Sequence, residues 1–265
     1  MKSTLSLLLI GFTSFAGSLL GEEGFVSLFD GKSLAGWTAA RSKGEGDTGA
    51  YSVNKEEKAI HCYAGKEAGS KQDTDCLNTE KVFSHFILRL EYKWLENRFQ
   101  PREDWDRDAG LLFHVHGNLT KVWPLSLEMQ IGETPAEVMA GKKDKKRNYH
   151  TGDLFVLGKN LEVERPVKDR RYSPEGDWKK GRSLGTLLGK EKPKGEWNEM
   201  EIQVHGSEKA IFILNGEQVH EIRNFTQKVD GERVPLSEGR IGLQAEWAEI
   251  LYRNIRIKEL EPEKK

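Results

Sequence analysis

The sequence of 265 residues is short of net charge, of cysteine and of long apolar runs, and each shortage excludes a class of protein. Its 41 Lys and Arg residues face 42 Asp and Glu residues. Binding to duplex nucleic acid needs a basic surplus that displaces counterions from phosphates, so we expect no nucleic-acid partner. A disordered acidic protein is also excluded, because 7 Trp, 11 Phe and 6 Tyr provide ample material for a core.

Cysteine is scarce, since Cys62 and Cys76 are the whole supply. Neither has a second Cys or a His at ligand spacing, which argues against a zinc site built on them. In an oxidising compartment the two thiols can pair across a modest loop. We therefore predict a disulfide between them, with two buried free thiols as the alternative.

One apolar run stands at the N-terminus, where Lys2 precedes the apolar residues 5–15 and the small residues Ala16, Gly17 and Ser18. A positive start, a short apolar stretch and a small-residue exit are typical of a secretory signal peptide. The run is shorter than the roughly 20 residues that span a bilayer, so we expect no stable membrane insertion. The sequence thus predicts a leader over residues 1–21 and a secreted or periplasmic domain over residues 22–265.

The rest of the chain alternates apolar and polar residues with a period of two, which is typical of half-buried strands. The clearest runs are residues 86–94 (FILRLEYKW), 125–131 (LSLEMQI), 200–204, 240–245 and 251–257. Asn215-Gly216, between two apolar runs, predicts a tight hairpin turn. Residues 132–150 and 161–195 are rich in charge, Pro and Gly, and we interpret both as long loops. The pattern favours an all-β sandwich, jelly roll or barrel.

Several strings, taken in order, resemble the 3-keto-disaccharide hydrolase domain family within the concanavalin A-like lectin and glucanase superfamily. They are residues 24–37 (GFVSLFDGKSLAGW), 108–113 (DAGLLF), 127–131 (LEMQI), 151–158, 195–202 (GEWNEMEI) and 239–260 (GRIGLQAEWAEILYRNIRIKEL). The resemblance covers nearly all of residues 22–265. It implies a concanavalin A-like jelly-roll sandwich of two antiparallel sheets, with a site for a small carbohydrate on its concave face.

The resemblance also implies a reaction, because characterised relatives act on glycosides that carry a ketone at sugar C3. The ketone acidifies the hydrogen on C2, so a base can remove that proton while an electrophile holds the enolate oxygen. The substituent on C1 then departs, and water adds across the alkene. Such chemistry needs an acid or base near C2 and O1, and a cation or a hydrogen-bond donor at O3.

Three residues are candidates for proton transfer. Glu128 lies on the polar face of a predicted strand, and Glu246 stands about where the family commonly has a His. His150 follows a charged loop and titrates near neutral pH. The candidate substrate-binding residues are His114, Gln130, Gln244, Trp123, Asp108 and Arg89.

A divalent metal ion is a further expectation, with His114, His116 and Glu128 as its ligands. His114 and His116 are two residues apart on a predicted strand, so their rings are expected on one face, and Glu128 can add a third ligand from another strand. The alternative for both histidines is an ordinary polar surface position.

Three functions stay open at this point. The first is cleavage or hydration of 3-keto-glycosides. The second is a non-catalytic carbohydrate-binding domain of lectin type, which needs aromatic platforms such as Trp123 but no acid or base. The third is ordinary glycoside hydrolysis, for which Glu128 and Glu246 provide the two carboxylates. The sequence leaves the oligomeric state open.

Overall fold

The computed structural model describes residues 24–44, 49–142, 150–166, 178–180 and 190–262. Nearly all regular structure in this part of the chain is β. The elements are β1 (Val26–Ser27), β2 (Trp37–Ala39), β3 (Tyr51–Asn54), β4 (Ala59–Cys62), β5 (Asp75–Thr79), β6 (His85–Arg98), β7 (Asp108–His116), β8 (Leu125–Gly132), α1 (Ala136–Met139), β9 (Leu154–Leu157), β10 (Leu161–Pro166), β11 (Trp178–Lys180), β12 (Asn198–His205), β13 (Lys209–Leu214), β14 (Glu217–Val229), β15 (Glu232–Pro235), β16 (Arg240–Ala245) and β17 (Ala248–Glu259).

The strands form two antiparallel sheets that enclose one large apolar core. The first sheet has the order β11-β10-β14-β13-β12-β6-β17-β4-β3, with β1 added beside β17 and β15 beside β14. The second has the order β2-β5-β16-β7-β8-β9. Neighbouring strands in these sheets are often far apart in sequence, as in a jelly roll. The predicted all-β sandwich of two antiparallel sheets is confirmed.

The period-two pattern of the sequence becomes the two faces of each strand. In β6, Leu88 and Leu90 are fully buried between the sheets, whereas Arg89 and Glu91 project from the outer side of the first sheet. In β8, Leu127 and the next two alternate apolar residues enter the same core. Each strand therefore contributes one row of side chains to the core and one row to an outer face.

The hairpin predicted at Asn215-Gly216 is confirmed. β13 and β14 pair up to Leu214 and Glu217, and the two residues between them have φ angles of 51° and 81°. Asn and Gly are the residues that tolerate this left-handed conformation best, which explains their place in the turn.

The prediction of one long loop over residues 161–195 is wrong for residues 161–166 and 178–180. Leu161 and Val163 are buried, and they alternate with Glu162 and Glu164 on the strand that pairs with β14. Two apolar residues are enough here because the neighbouring strand supplies the pairing partner. In the other predicted loop the structure has the single helical turn α1. Residues 143–149, 167–177 and 181–189 lie outside the described residues.

The predicted disulfide is also wrong, because Cys62 and Cys76 are both free, buried thiols. Cys62 belongs to the core between the sheets, whereas Cys76 packs with Leu112 and Val115 in a separate small cluster. The two side chains therefore lie on opposite sides of the second sheet. Burial raises the pKa of both thiols well above the ordinary value.

Within the described residues, no helix is both long enough and apolar enough to cross a membrane. The predicted leader, residues 1–21, lies outside the described residues.

Candidate functional site

Polar side chains gather on the outer face of the second sheet, in three neighbouring rows across its strands. In one row, Leu112 pairs with both Gly242 and Glu128. In the next row, Gly110 pairs with Gln130. Paired residues of antiparallel strands share a face, so Glu128 and Gln130 project away from the core. Asp108 and Glu246, joined by a β-bridge, form the third row beyond Gly110, and Gln244 lies on the same side of its strand as Glu246.

Gly110 occupies the centre of this face, and its missing side chain is what brings two functional groups together. A Cβ atom at this position would overlap Oε1 of Glu128 and Oε1 of Gln244. The two side chains therefore lean over the glycine from opposite sides. Gln244 is 1% exposed, and neither its amide oxygen nor its amide nitrogen has a hydrogen-bond partner in the described structure.

Glu128 is a buried carboxyl group, 4% exposed, in a strongly unfavourable place for a charge. Burial raises the pKa of Glu128 well above its ordinary value, and the nearby carboxyl groups of Glu246 and Asp108 raise it further. Among the described residues, no hydrogen-bond donor opposes this effect. The raised pKa favours the protonated form of Glu128, which can donate a proton to a bound ligand.

Glu246 is the second buried carboxyl group of the site, and it shares its surroundings with Asp108. Nη1 of Arg102 lies 2.9 Å from Oδ2 of Asp108 and 3.5 Å from Oε2 of Glu246. Gln130 donates to Asp108 and the Trp123 indole donates to Glu246. Burial and the neighbouring Asp108 raise the pKa of Glu246 to about 7, against the opposing effects of Trp123 and Arg102. A group with this pKa can both accept and release a proton at neutral pH.

Aromatic rings border the carboxyl groups. Trp123 and Trp105 are 44% and 54% exposed, so two indole rings face solvent beside a buried acidic cluster. The Arg102 guanidinium lies between Trp105 and Trp247, at 4.8 Å and 4.5 Å from their ring centroids. Exposed indoles of this kind are suited to stacking on sugar rings, and the stacked Arg102 is held in place for its two carboxylates.

The raised pKa of Glu246 predicts how stability depends on pH. A carboxyl group whose pKa is raised from 4.5 to about 7 by folding stabilises the protein below pH 4.5 and loses this effect as the pH rises through 7. The free energy of unfolding of the wild-type protein should therefore fall by about 3 kcal/mol between pH 4.5 and pH 8 on account of Glu246. In Glu246→Gln we expect this contribution to the decrease to be absent. Urea unfolding of both proteins at the two pH values measures it. Parallel pH dependences of the two proteins would contradict the assignment.

The chain matches one family of protein domains over nearly its whole length. The model of the 3-keto-alpha-glucoside-1,2-lyase-like domain matches residues 24–258, which include both sheets except the last residue of β17. The chain belongs to this family. The resemblance read from the sequence strings is confirmed, and it identifies the domain as carbohydrate-related. No curated protein matches the chain.

Solved structures support the fold of this 3-keto-alpha-glucoside-1,2-lyase-like domain. Two are proposed glycosyl hydrolases from Parabacteroides distasonis ATCC 8503. One has 18% identity and a TM-score of 0.53 and covers 90% of this chain and 95% of its own. The other has 20% identity and a TM-score of 0.52 and covers 89% and 99%. The Ca²⁺-bound exoplasmic/lumenal domain of VIP36 has 9% identity, a TM-score of 0.51 and coverages of 92% and 95%. At these identities the likeness concerns the fold alone.

Most of the residues predicted for the site of this family member lie together on the outer face of the second sheet. They are Glu128, Glu246, Asp108, Gln130, Gln244 and Trp123. His150 follows the undescribed residues 143–149, and the turn that it begins pairs with the backbone of Gln130, because the Gly152 N–H donates to the Gln130 carbonyl oxygen. His150 is thus near the end of β8, and its part in proton transfer stays a prediction.

The predicted positions of His114 and His116 are wrong, because a β-bulge in β7 shifts the register just before His116. His114 has a positive φ of 50°, and its ring turns toward the core, where Nε2 lies 2.9 Å from the Gly206 carbonyl oxygen and the ring packs on Phe225. Nδ1 of His116 lies 2.8 Å from the His114 carbonyl oxygen. Neither imidazole is thereby brought to Glu128 as a metal ligand, and His114 does not line the carbohydrate face.

The residues described do not fit the expected metal ion. No group of three or more His, Cys, Asp and Glu side chains among them is arranged to hold a cation. Two of the three carboxyl groups of the site, Asp108 and Glu246, instead have Arg102, Gln130 and Trp123 as partners.

Arg89 is a second correction. It projects from the outer side of the first sheet, where it forms an ion pair with Glu201 and covers the ring of Phe25. The core separates this surface from the carboxyl cluster, so Arg89 is not a substrate-binding residue of this site.

Arg102 and Trp247 are parts of the site that the sequence did not indicate. Arg102 lies in the turn between β6 and β7, where no periodic pattern assigns a face. Trp247 has a positive φ of 57° and begins the tight connection from β16 to β17. The string Ala245-Glu246-Trp247 contained a usable signal, since an aromatic residue beside a candidate carboxylate at a strand end is a reasonable site residue.

Proposed function

We propose that the protein cleaves or hydrates 3-keto-glycosides by removing the proton on C2, with the reacting sugar bound over Gly110. The arrangement that carries this proposal is a buried carboxyl group with a raised pKa, a second carboxyl group with a pKa of about 7, and a buried amide without hydrogen-bond partners among the described residues. The first and the third meet over Gly110, and the second lies in the neighbouring row. These groups supply an acid, a base and a hydrogen-bond donor. Membership of a family described as 3-keto-alpha-glucoside-1,2-lyase-like supports the proposed substrate class.

The first step is assigned to Glu246 and Glu128. Glu246 in its ionised form takes the proton from C2, and the electrons of the C–H bond form a double bond between C2 and C3 while the carbonyl electrons move to the C3 oxygen, which gives the enolate. The enolate then restores the C3 ketone, and the electrons of the C2–C3 double bond form the double bond between C1 and C2. The bond from C1 to the leaving oxygen breaks, and Glu128 donates its proton to that oxygen. A base with a pKa of about 7 and an acid whose pKa burial raises well above its ordinary value suit these roles.

The electrophile is assigned to Gln244. Its amide nitrogen is buried and has no hydrogen-bond partner among the described residues, so it can donate to the C3 oxygen as negative charge develops there. Arg102 keeps its hydrogen bonds to Asp108 and Glu246 and lowers the pKa of Glu246. In the second step water adds across the alkene, with its hydroxyl group on C1. Ionised Glu128 takes the other proton of the water and Glu246 returns its proton to C2, so both carboxyl groups regain their starting states.

The aromatic border supports a bound sugar. The exposed ring of Trp123 stands beside Glu246, to which its N–H donates, and its centroid lies 6.4 Å from that of Trp247. A ring that stacks on this surface is held close to both carboxyl groups. This placement favours a substrate with at least one sugar on each side of the scissile bond.

Export belongs to the same proposal. What supports it is the pattern of residues 1–21, with one basic residue, an apolar stretch and a small-residue exit. Mass spectrometry of the protein recovered from the medium or the cell envelope checks it. A full-length chain at either place would reject removal of the leader.

The direct test is turnover of a 3-keto-disaccharide by the purified, folded protein. We expect the 3-keto compound to be consumed, exchange of the C2 hydrogen with solvent deuterium, and no action on the parent disaccharide that lacks the ketone. Cleavage of the parent would instead indicate ordinary glycoside hydrolysis. Binding of both sugars without turnover or exchange would indicate a lectin-like domain.

A further inference from the structure

A second concave region lies at one end of the sandwich, apart from the carboxyl cluster. It is a cavity of about 640 Å³ between the ends of β3 and β4 in one sheet and the start of β5 in the other. This volume is in the usual range for sites of small molecules. Among its lining residues are Arg41, Lys66, Lys71, Tyr63 and Asp75. The function proposed above makes no use of it.

Asp75 is a buried acceptor at the base of this cavity, with 1% exposure. Its Oδ1 accepts hydrogen bonds from the backbone N–H groups of Arg41 and Cys76, at 3.0 Å and 2.8 Å. Its Oδ2 has no hydrogen-bond partner in the described structure. Burial raises the pKa of Asp75, against the opposing effects of the backbone N–H groups of Cys76, Arg41 and Ala50. Gly49 packs directly against Oδ2, which occupies the place that a Cβ atom would take. An unsatisfied buried acceptor is suited to a ligand hydroxyl group.

Cationic side chains border the same cavity. Arg41, Lys43, Lys66 and Lys71 line it, against the two carboxylates of Asp73 and Asp75. Arg41 pairs with Asp73 at 3.5 Å. The ammonium groups of Lys66 and Lys71 form no ion pair with any of the residues described, and both lysines are exposed. Two unpaired cations at the mouth favour a ligand that carries negative charge.

We propose that this cavity binds an acidic carbohydrate, a sugar ring with a carboxylate, sulfate or phosphate group, at a site separate from the carboxyl cluster. The anionic group faces Lys66 and Lys71, and a ring hydroxyl group donates to Oδ2 of Asp75. The two features require different parts of one ligand, because inorganic sulfate has no hydroxyl donor for Asp75 and a neutral sugar has no charge for the lysines.

The cavity adjoins the reacting site through one short segment. The Tyr63 hydroxyl group, which lines the cavity, donates to the Ala245 carbonyl oxygen at 2.8 Å and accepts from the Trp247 N–H at 3.2 Å. The Trp247 indole donates to the carbonyl oxygen of Gln72, another lining residue. Tyr63 and Gln72, which line the cavity, therefore hold the segment of residues 245–247 in place by hydrogen bonds. Glu246 lies in this segment, so the cavity and the carboxyl cluster share it.

Isothermal titration calorimetry with glucuronate, glucose 6-sulfate and glucose 6-phosphate tests the proposal, with glucose and inorganic sulfate as comparison ligands. We expect at least one acidic sugar to bind about tenfold or more tightly than both comparison ligands, and the preferred sugar identifies the anionic group. Equal binding of inorganic sulfate and glucose 6-sulfate would overturn the proposal, as would equal binding of glucose and the acidic sugars.

Variants locate the site. Lys66→Gln with Lys71→Gln should weaken binding about tenfold, whereas the control Lys55→Gln with Lys228→Gln, which changes net charge equally at exposed positions elsewhere, should leave it unchanged. Trp123→Ala should also leave it unchanged, since that residue belongs to the other site. Asp75→Asn should weaken binding while it keeps the acceptor Oδ1. Diffuse charge attraction predicts the opposite, a gain of affinity in Asp75→Asn and equal losses in the two lysine pairs, and either result would refute the site.

Discussion

Glu128→Gln is expected to lower kcat for a 3-keto-disaccharide by about a thousandfold, within the range for loss of a general acid. The amide keeps the size of the side chain but cannot release a proton to the departing oxygen. Folding should be unaffected or improved, because burial and two neighbouring carboxyl groups already disfavour a charge at this position. Steady-state kinetics and thermal unfolding measure the two effects.

Glu201→Gln is the matched control for this prediction. Glu201 is also buried, at 7% exposure, but it lies on the outer side of the first sheet and pairs with Arg89. Its replacement should leave kcat unchanged. If Glu128→Gln kept most of the wild-type rate, Glu128 would not be the acid. If the wild-type protein bound the substrate without converting it, the domain would be a carbohydrate-binding domain and not an enzyme for this substrate.

Strict alternation in the sequence was sufficient to assign side chains to faces. Leu127 and Met129 enter the core, and Glu128 and Gln130 project from the opposite side, as the two-residue period requires. The same argument placed Gln244 and Glu246 together. Alternation does not predict which strands are neighbours in a sheet. Only the pairing of β16 and β8 with β7 puts these residues on one surface, and that pairing joins segments distant in sequence.

The histidines show where the alternation argument fails. An ideal strand would place His114 and His116 on the face of Leu112, but one extra residue in β7 reverses the direction of His114. His is a residue with little tendency to mark a bulge, in contrast to Gly, so the sequence contained no sign of it. The bulge is specified by tertiary contacts, including the contact of the His114 ring with Phe225.

Loops are the second limit of prediction from sequence. Arg102 and Trp105 lie between strands, where a residue's direction depends on local turns and on partners that sequence does not identify. Once the strands around them are in place, Arg102 reaches Asp108 and Glu246 and stacks between two indoles. The fold and the carboxyl groups could therefore be inferred from the sequence, whereas the cation that acts on them could not.

Arg102→Gln is expected to lower kcat/KM at pH 7 by about 10- to 100-fold, through the pKa of Glu246. Arg102 lowers this pKa against the effects of burial and Asp108, so its loss should raise it above the present value of about 7. Less of the base is then ionised at pH 7, and each unit of increase lowers the ionised fraction by up to about tenfold. The rising limb of the rate profile between pH 6 and pH 9 should move to higher pH.

The position of that limb separates an electrostatic role of Arg102 from a merely structural one. A structural defect would lower the rate by a similar factor at every pH, without a shift of the limb. Arg102→Lys is the matched variant, since it keeps the positive charge but loses the planar group that stacks between Trp105 and Trp247. Its limb should lie between those of wild type and Arg102→Gln. If the limb did not move in Arg102→Gln, Glu246 would not be the base, because the Arg102 guanidinium lies beside Glu246 and lowers its pKa.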